Sequence, residues 1–102
     1  VLNRADDSIQ SGNQIANLLI TGDDPSAGQS GAAINFTAGD SWTTNYYPTN
    51  IVFYNDNAGT LAPRMTLDSS GRLLVGTPTP NTSLTVNGQG ALGSEDASGN
   101  GI

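Results

Sequence analysis

The sequence predicts an all-β chain. Its apolar residues come in short clusters with strand-like alternation, Gly, Pro, Asn, Asp and Ser separate the clusters, and no window carries a helical apolar stripe three or more turns long. In chain order the candidate strands are 17–21, 32–37, 50–54, 64–67, 72–75 and 83–86. The first three centre on Leu18-Leu19-Ile20, Ile34 to Phe36 and Ile51-Val52-Phe53, runs rich in the branched and aromatic residues that suit a pleated surface. Only the segment 6–20 leaves room for a helical turn.

The fourth and fifth strands flank Asp68-Ser69-Ser70-Gly71, where the Asp side chain can bond its own backbone and the Gly accepts a positive φ. A hairpin is expected here. With Leu67 opposite Leu73 and Met65 opposite Val75, one face of it is continuously apolar. A two-stranded hairpin is not stable alone, so that face requires a partner. Beyond Val75, Gly76-Thr77-Pro78-Thr79-Pro80 forms a stiff connector, because each proline fixes φ and biases the residue before it to extended geometry. The expected organisation is a β-rich module over 1–87, followed by a Gly-rich linker or crossover over 88–102 into a further domain. The first residues show neither a basic nor an apolar export region, and the sequence reads as a fragment.

A chain of 102 residues makes one small domain with a thin core. Leu, Ile, Val and Phe together lie close to the roughly 20% line below which chains tend to disorder. Cysteine and histidine are absent, so neither a disulfide nor the usual metal cluster offsets the thin core. Oligomerisation is the remaining means of stabilisation. Charged residues are 12% of the chain, the only basic ones being Arg4, Arg64 and Arg72, and Ser, Thr, Asn, Gln and Gly supply the polar surface. The net charge of -6 disfavours nucleic acid and anionic lipid, and no apolar run approaches the length of a helical membrane span. Sequons at Asn35 and Asn81 are of the kind that chance supplies in so Asn- and Thr-rich a chain.

Several motifs have a plainer reading. Gly88-Gln89-Gly90-Ala91-Leu92-Gly93 matches a dinucleotide fingerprint, but residues 94–101 are poor helix formers and no acidic ribose ligand follows. Asn55-Asp56-Asn57-Ala58-Gly59 and Asp96-Ala97-Ser98-Gly99-Asn100-Gly101 resemble calcium loops without the closing Glu, and turn chemistry accounts for both. No cofactor or metal is expected. Without His, Cys or Lys a serine nucleophile has no conventional base, which leaves only paired carboxylates among Asp23, Asp24, Asp40, Asp56, Asp68, Glu95 and Asp96. An enzyme is therefore not expected. Trp42, Tyr46 and Tyr47, set among Asn and Thr, are candidate receptor or glycan contacts, although packing has the stronger claim on aromatic rings in so apolar-poor a chain.

The stretch Pro63-Arg64-Met65-Thr66-Leu67-Asp68-Ser69-Ser70-Gly71-Arg72-Leu73-Leu74-Val75-Gly76-Thr77, followed by Pro80 and Ser83-Leu84-Thr85-Val86-Asn87-Gly88, resembles a segment common in bacteriophage tail fibres. Ala32-Ala33-Ile34, Ser41-Trp42 and Ile51-Val52-Phe53-Tyr54 resemble what usually precedes it. The resemblance implies an intertwined homotrimeric β fibre, virion-borne and devoted to host attachment, with apolar hairpin faces meeting near the axis. Its partners would be its own copies, other tail or virion proteins, and a host glycan or protein receptor. In relatives such a segment leads to a self-cleaving C-terminal chaperone domain with a Ser-Lys dyad, for which this chain has no lysine. Met65, Leu67, Leu73, Val75, Leu84 and Val86 are the candidate trimer contacts. The alternatives are a segment that binds or cleaves polysaccharide and a cellular adhesin or surface-layer repeat.

Trypsin cleaves only after Lys and Arg, so a folded trimer should resist it except where Arg64 or Arg72 frays. Rapid cutting at both, read by mass spectrometry, would argue against the hairpin.

Overall fold

The computed structural model describes residues 3–22 and 29–88. Every strand expected from the sequence is present, and the described residues contain no helix. The strands are β1 (Gln14–Gly22), β2 (Gln29–Ala38), β3 (Thr49–Asn57), β4 (Thr60–Leu67), β5 (Leu73–Val75) and β6 (Leu84–Val86), ordered β1-β2-β3-β4-β5-β6 in one sheet. Neighbours through β5 are antiparallel, while β5 and β6 are parallel. The room for a helical turn in 6–20 is not used. The Asn13 amide instead donates to the Gln10 carbonyl at 3.0 Å, Gly12 takes φ 84°, and the chain enters β1 directly.

Two turns set the register. Between β3 and β4, Ala58 (φ 60°) and Gly59 (φ 85°) both occupy the left-handed region, as the tightest hairpin turns require. The Asp56 carboxylate accepts the Gly59 amide at 2.8 Å, so the suspected calcium loop is a hairpin turn. This hairpin lengthens β4 at its start beyond the expected 64–67. Pro63 lies within the strand, beside a bulge at which Phe53 pairs with Met65 but Tyr54 pairs with Pro63, leaving Arg64 as the extra residue. Bulges are where a sheet tolerates proline. Between β4 and β5, the Gly71 amide donates to the Asp68 carbonyl and the Asp68 amide to the Arg72 carbonyl, both at 2.9 Å. Gly71 supplies the positive φ (79°) that closes this three-residue loop.

Residues 76–83 return the chain so that β6 runs parallel to β5. Crossovers between parallel strands usually take a dozen or more residues. Eight suffice here because β5 and β6 have three residues each and there is little length to retrace. The return crosses one side of the sheet, where Pro78 and Pro80 form a groove with Leu74, Val52 and Tyr54. Leu74 is buried there, and Ala33 and Ala38 are the other buried apolar residues among those described. Burying one leucine is worth about 1.5–3 kcal/mol, against about 1–2 kcal/mol to fix each residue's backbone. A single layer with so small a core needs a second layer.

Gly76 lies where β5 meets the crossover, with φ 74°, and a Cβ there would stand 3.2 Å from the Asn87 carbonyl oxygen. Gly76→Ala should lower stability by about 1–2 kcal/mol, through the left-handed backbone and the crowding together. Urea denaturation at fixed chain concentration measures it.

Candidate interaction face

Residues directly opposite one another across a sheet share a face, because side chains alternate with period two. The pairings trace one row through Leu18, Ile34, Phe53, Met65, Val75 and Val86. A second row, on the same face, runs through Ala16, Phe36, Ile51, Leu67, Leu73 and Leu84. Both cross all six strands without a polar residue. Ile20 and Ala32 continue the face to one side, where Asn55 accepts the Arg64 Nε at 2.7 Å and apolar character gives way.

All six residues singled out from the sequence lie on this face, with Met65, Val75 and Val86 in one row and Leu67, Leu73 and Leu84 in the other. The pairing of Leu67 with Leu73 and of Met65 with Val75 is the one expected. Sequence reasoning missed the other half of the face, Leu18, Ile34, Phe36, Ile51 and Phe53. The signal was available in the alternation of β1 to β3. Leu18, Ile20, Leu67, Leu84 and Val86 are 39–54% exposed, and the rest of the two rows, where not small, is half-buried against neighbours in the sheet.

The opposite face is mixed. Its central row reads Asn17, Asn35, Val52, Thr66, Leu74 and Thr85. The crossover covers part of it, and the Asn35 Nδ2 donates to the Gln14 Oε1 at 2.7 Å. The Asn35 Oδ1 is buried, which leaves this sequon poorly placed for a glycan.

Trp42, Tyr46 and Tyr47 lie in the excursion 39–48 between β2 and β3. Thr43 and Tyr46 bridge one another there, and the Trp42 amide is tied to the Ile9 carbonyl at 2.8 Å. The Trp42 Nε1 donates to the Pro48 carbonyl at 3.0 Å, and its ring meets that of Tyr47 edge-on, with centroids 5.6 Å apart and planes at 73°. Trp42 and Tyr47 are thus brought together, but at this angle they form no flat stacking platform. Tyr46 and Tyr47 remain exposed.

Asp40, Asp56 and Asp68 accept nearby backbone amides. Asp40 accepts the Ser41 amide at 2.7 Å, and Asp68 accepts the Ser70 and Arg72 amides at 3.0 and 2.9 Å while its Oδ2 pairs with the Arg72 Nε at 2.7 Å. No cluster of three metal-ligating side chains occurs among the described residues. Asp23, Asp24, Glu95, Asp96, the fingerprint-like Gly88 to Gly93 run beyond Gly88, and the expected linker from residue 89 onward lie outside the described residues. No protein-family model matches the chain, and no curated protein matches it.

Partial desolvation at Asp68 pushes its carboxyl up, but the Arg72 backbone amide and guanidinium and the Ser70 amide outweigh it and hold the group below its ordinary value. A depressed folded-state pKa contributes stability that is complete above the unfolded value, about 3.9, and is lost as pH falls through the folded one. Thermal melts should therefore fall as pH drops below about 4, and Asp68→Asn should flatten part of that dependence while lowering stability at pH 7.

Proposed function

We propose that this chain is a structural module of a homotrimeric bacteriophage tail fibre, located in the virion and contributing to host attachment. The observation that carries the reading is the pair of uncovered apolar rows spanning all six strands. In this arrangement three copies turn those rows toward a common axis and leave the mixed face, with the crossover, toward solvent. The two rows cover roughly 400 Å², from the spacing of strands and residues. Contiguous apolar patches of a few hundred Å² are the size that marks interaction surfaces. The resemblance of residues 63–88 to tail-fibre segments supplies the class of assembly, and the face supplies a physical reason for it.

Glycan contact through the excursion is the second reading, favoured by the exposure of Tyr46 and Tyr47. It is compatible with the first, because the excursion does not belong to the apolar rows.

Light scattering on the purified chain, beside a Leu67→Asp, Leu73→Asp variant, tests the assembly. A mass of three chains that collapses in the variant is expected. A folded monomer unaffected by the changes would overturn the trimer and move attention to sugar binding by the Tyr46 and Tyr47 region. Melting temperatures that rise with chain concentration are expected for the same reason.

A further inference from the structure

The sheet ends in two edges of opposite character. The edge at β6 has only three residues, and the Thr85 hydroxyl is turned back to accept the Asn81 and Thr82 amides at 3.0 and 3.2 Å. The edge at β1 has nine residues, Gln-Ile-Ala-Asn-Leu-Leu-Ile-Thr-Gly, without a charge or a proline. Its first carbonyl, that of Gln14, accepts the Arg4 Nη1 at 2.6 Å, but no described strand pairs with the outer side of the rest. Leu18, Leu19 and Ile20 stand 49%, 45% and 54% exposed, and because they are consecutive they place exposed aliphatic surface on both faces of the strand. Natural edges are normally blunted by charge, proline, shortness or a cover. Covering the apolar rows would bury Leu18 and Ile20 and leave Leu19, on the other face, unexplained.

We infer that β1 is a pairing edge whose occupant is β1 of a second copy, antiparallel across a two-fold axis at Leu19. The strand is self-complementary in that register. Leu19 faces Leu19 of the copy, Leu18 faces Ile20, and Asn17 faces Thr21, so apolar meets apolar on both faces and polar meets polar. Length favours the same pairing, since in this register residues 16–22 of β1 face one another over seven positions and β6 offers three. Both strands of the pair become interior, which removes the open edge. A two-fold contact cannot lie inside a three-fold ring, so it joins copies from two assemblies and stands whether or not the fibre reading does. Pairing along one edge buries less than a standard interface, and such contacts are weak and transient. The test must trap it.

The chain has no cysteine, so single cysteines can be placed at will. Asn17, Leu19 and Thr21 all point away from the apolar rows, which separates this test from that of the trimer. Under mild oxidation Leu19→Cys alone should give a disulfide dimer, and an equal mixture of Asn17→Cys and Thr21→Cys should give one too, because opposed residues fall within disulfide reach. Asn17→Cys alone and Thr21→Cys alone should cross-link at least about tenfold more slowly, since four residues of offset put the sulfurs about 13 Å apart. Circular dichroism establishes that each variant keeps its sheet. Cross-linking of Leu19→Cys no faster than of Asn17→Cys alone, or equal rates for all combinations, would overturn the pairing; should Leu19→Cys not fold, the Asn17 and Thr21 mixture decides by the same criterion.

Discussion

The whole architecture depends on register. In a sheet the side-chain period is two, so a slip of one residue moves every side chain of a strand to the other face. The two apolar rows exist because five consecutive pairings are each correct, and the turns are what make them so. The Asp68 carboxylate fixes one of these turns through three hydrogen-bond donors, which sets Leu67 against Leu73 and hence Met65 against Val75. A slip of β5 there would turn Leu74 to the apolar side and Leu73 and Val75 away from it, and so remove from the mixed face the one large side chain that is fully buried. The β3 to β4 turn, with Ala58 in a left-handed conformation that costs an L-residue roughly 1–2 kcal/mol, performs the same task for Phe53 and Met65.

The two faces are finished differently. On the mixed face the return over residues 76–83 supplies its own small cover, held by the Leu73 amide on the Ser83 carbonyl and the Asn87 amide on the Val75 carbonyl, both at 2.8 Å. Prolines suit that cover, because a segment with fixed φ loses less entropy on ordering. The apolar face keeps Leu18, Ile20, Leu67, Leu84 and Val86 exposed. It is the larger and more hydrophobic side, which is the reverse of what a self-sufficient antiparallel sheet presents to water.

Much of this was legible in the sequence for a definite reason. Alternation is a local signal, and the Asp-Ser-Ser-Gly turn is a local rule, so six strands and one hairpin register followed from short windows. The β4 start did not, because Pro63 argues against a strand unless a bulge is known to stand beside it, and a bulge is defined by the partner strand. Residues 55–59 carry turn chemistry in the sequence, but the two-residue hairpin they close is not legible there, because Ala58 occupies a position where Asn or Gly gives the usual signal. The expected interface residues covered only β4 to β6, since they followed the resemblance. Extending them to Phe36 and Phe53 needs the pairings of β2 with β3 and of β3 with β4, which no single window contains. The aromatic cluster was visible as composition, but the edge-on meeting of Trp42 and Tyr47 depends on how the excursion folds back.

The scarcity of large apolar residues gains its meaning from where they stand. A monomeric domain with so few of them would be expected to gather them into one enclosed core. Here Leu18, Ile20, Ile34, Phe36, Ile51, Phe53, Met65, Leu67, Leu73, Val75, Leu84 and Val86 share one open face. Within the six strands the other side holds Leu19, Val52, Tyr54, Leu61 and Leu74, and Ile15 falls at a bulge. Distributed inward and outward, the same residues would give two weak faces. Concentrated, they give one strong face that cannot be satisfied by the described part of a single chain. The low charge fits the proposed assembly, because Lys and Glu side chains lose about 1.5–2 kcal/mol of side-chain entropy each when ordered. Ser, Thr and Asn keep the outer side wet at smaller entropic cost. Composition, pattern and register thus converge on one apolar face among the described residues, and in the proposed trimer that face is the hydrophobic core.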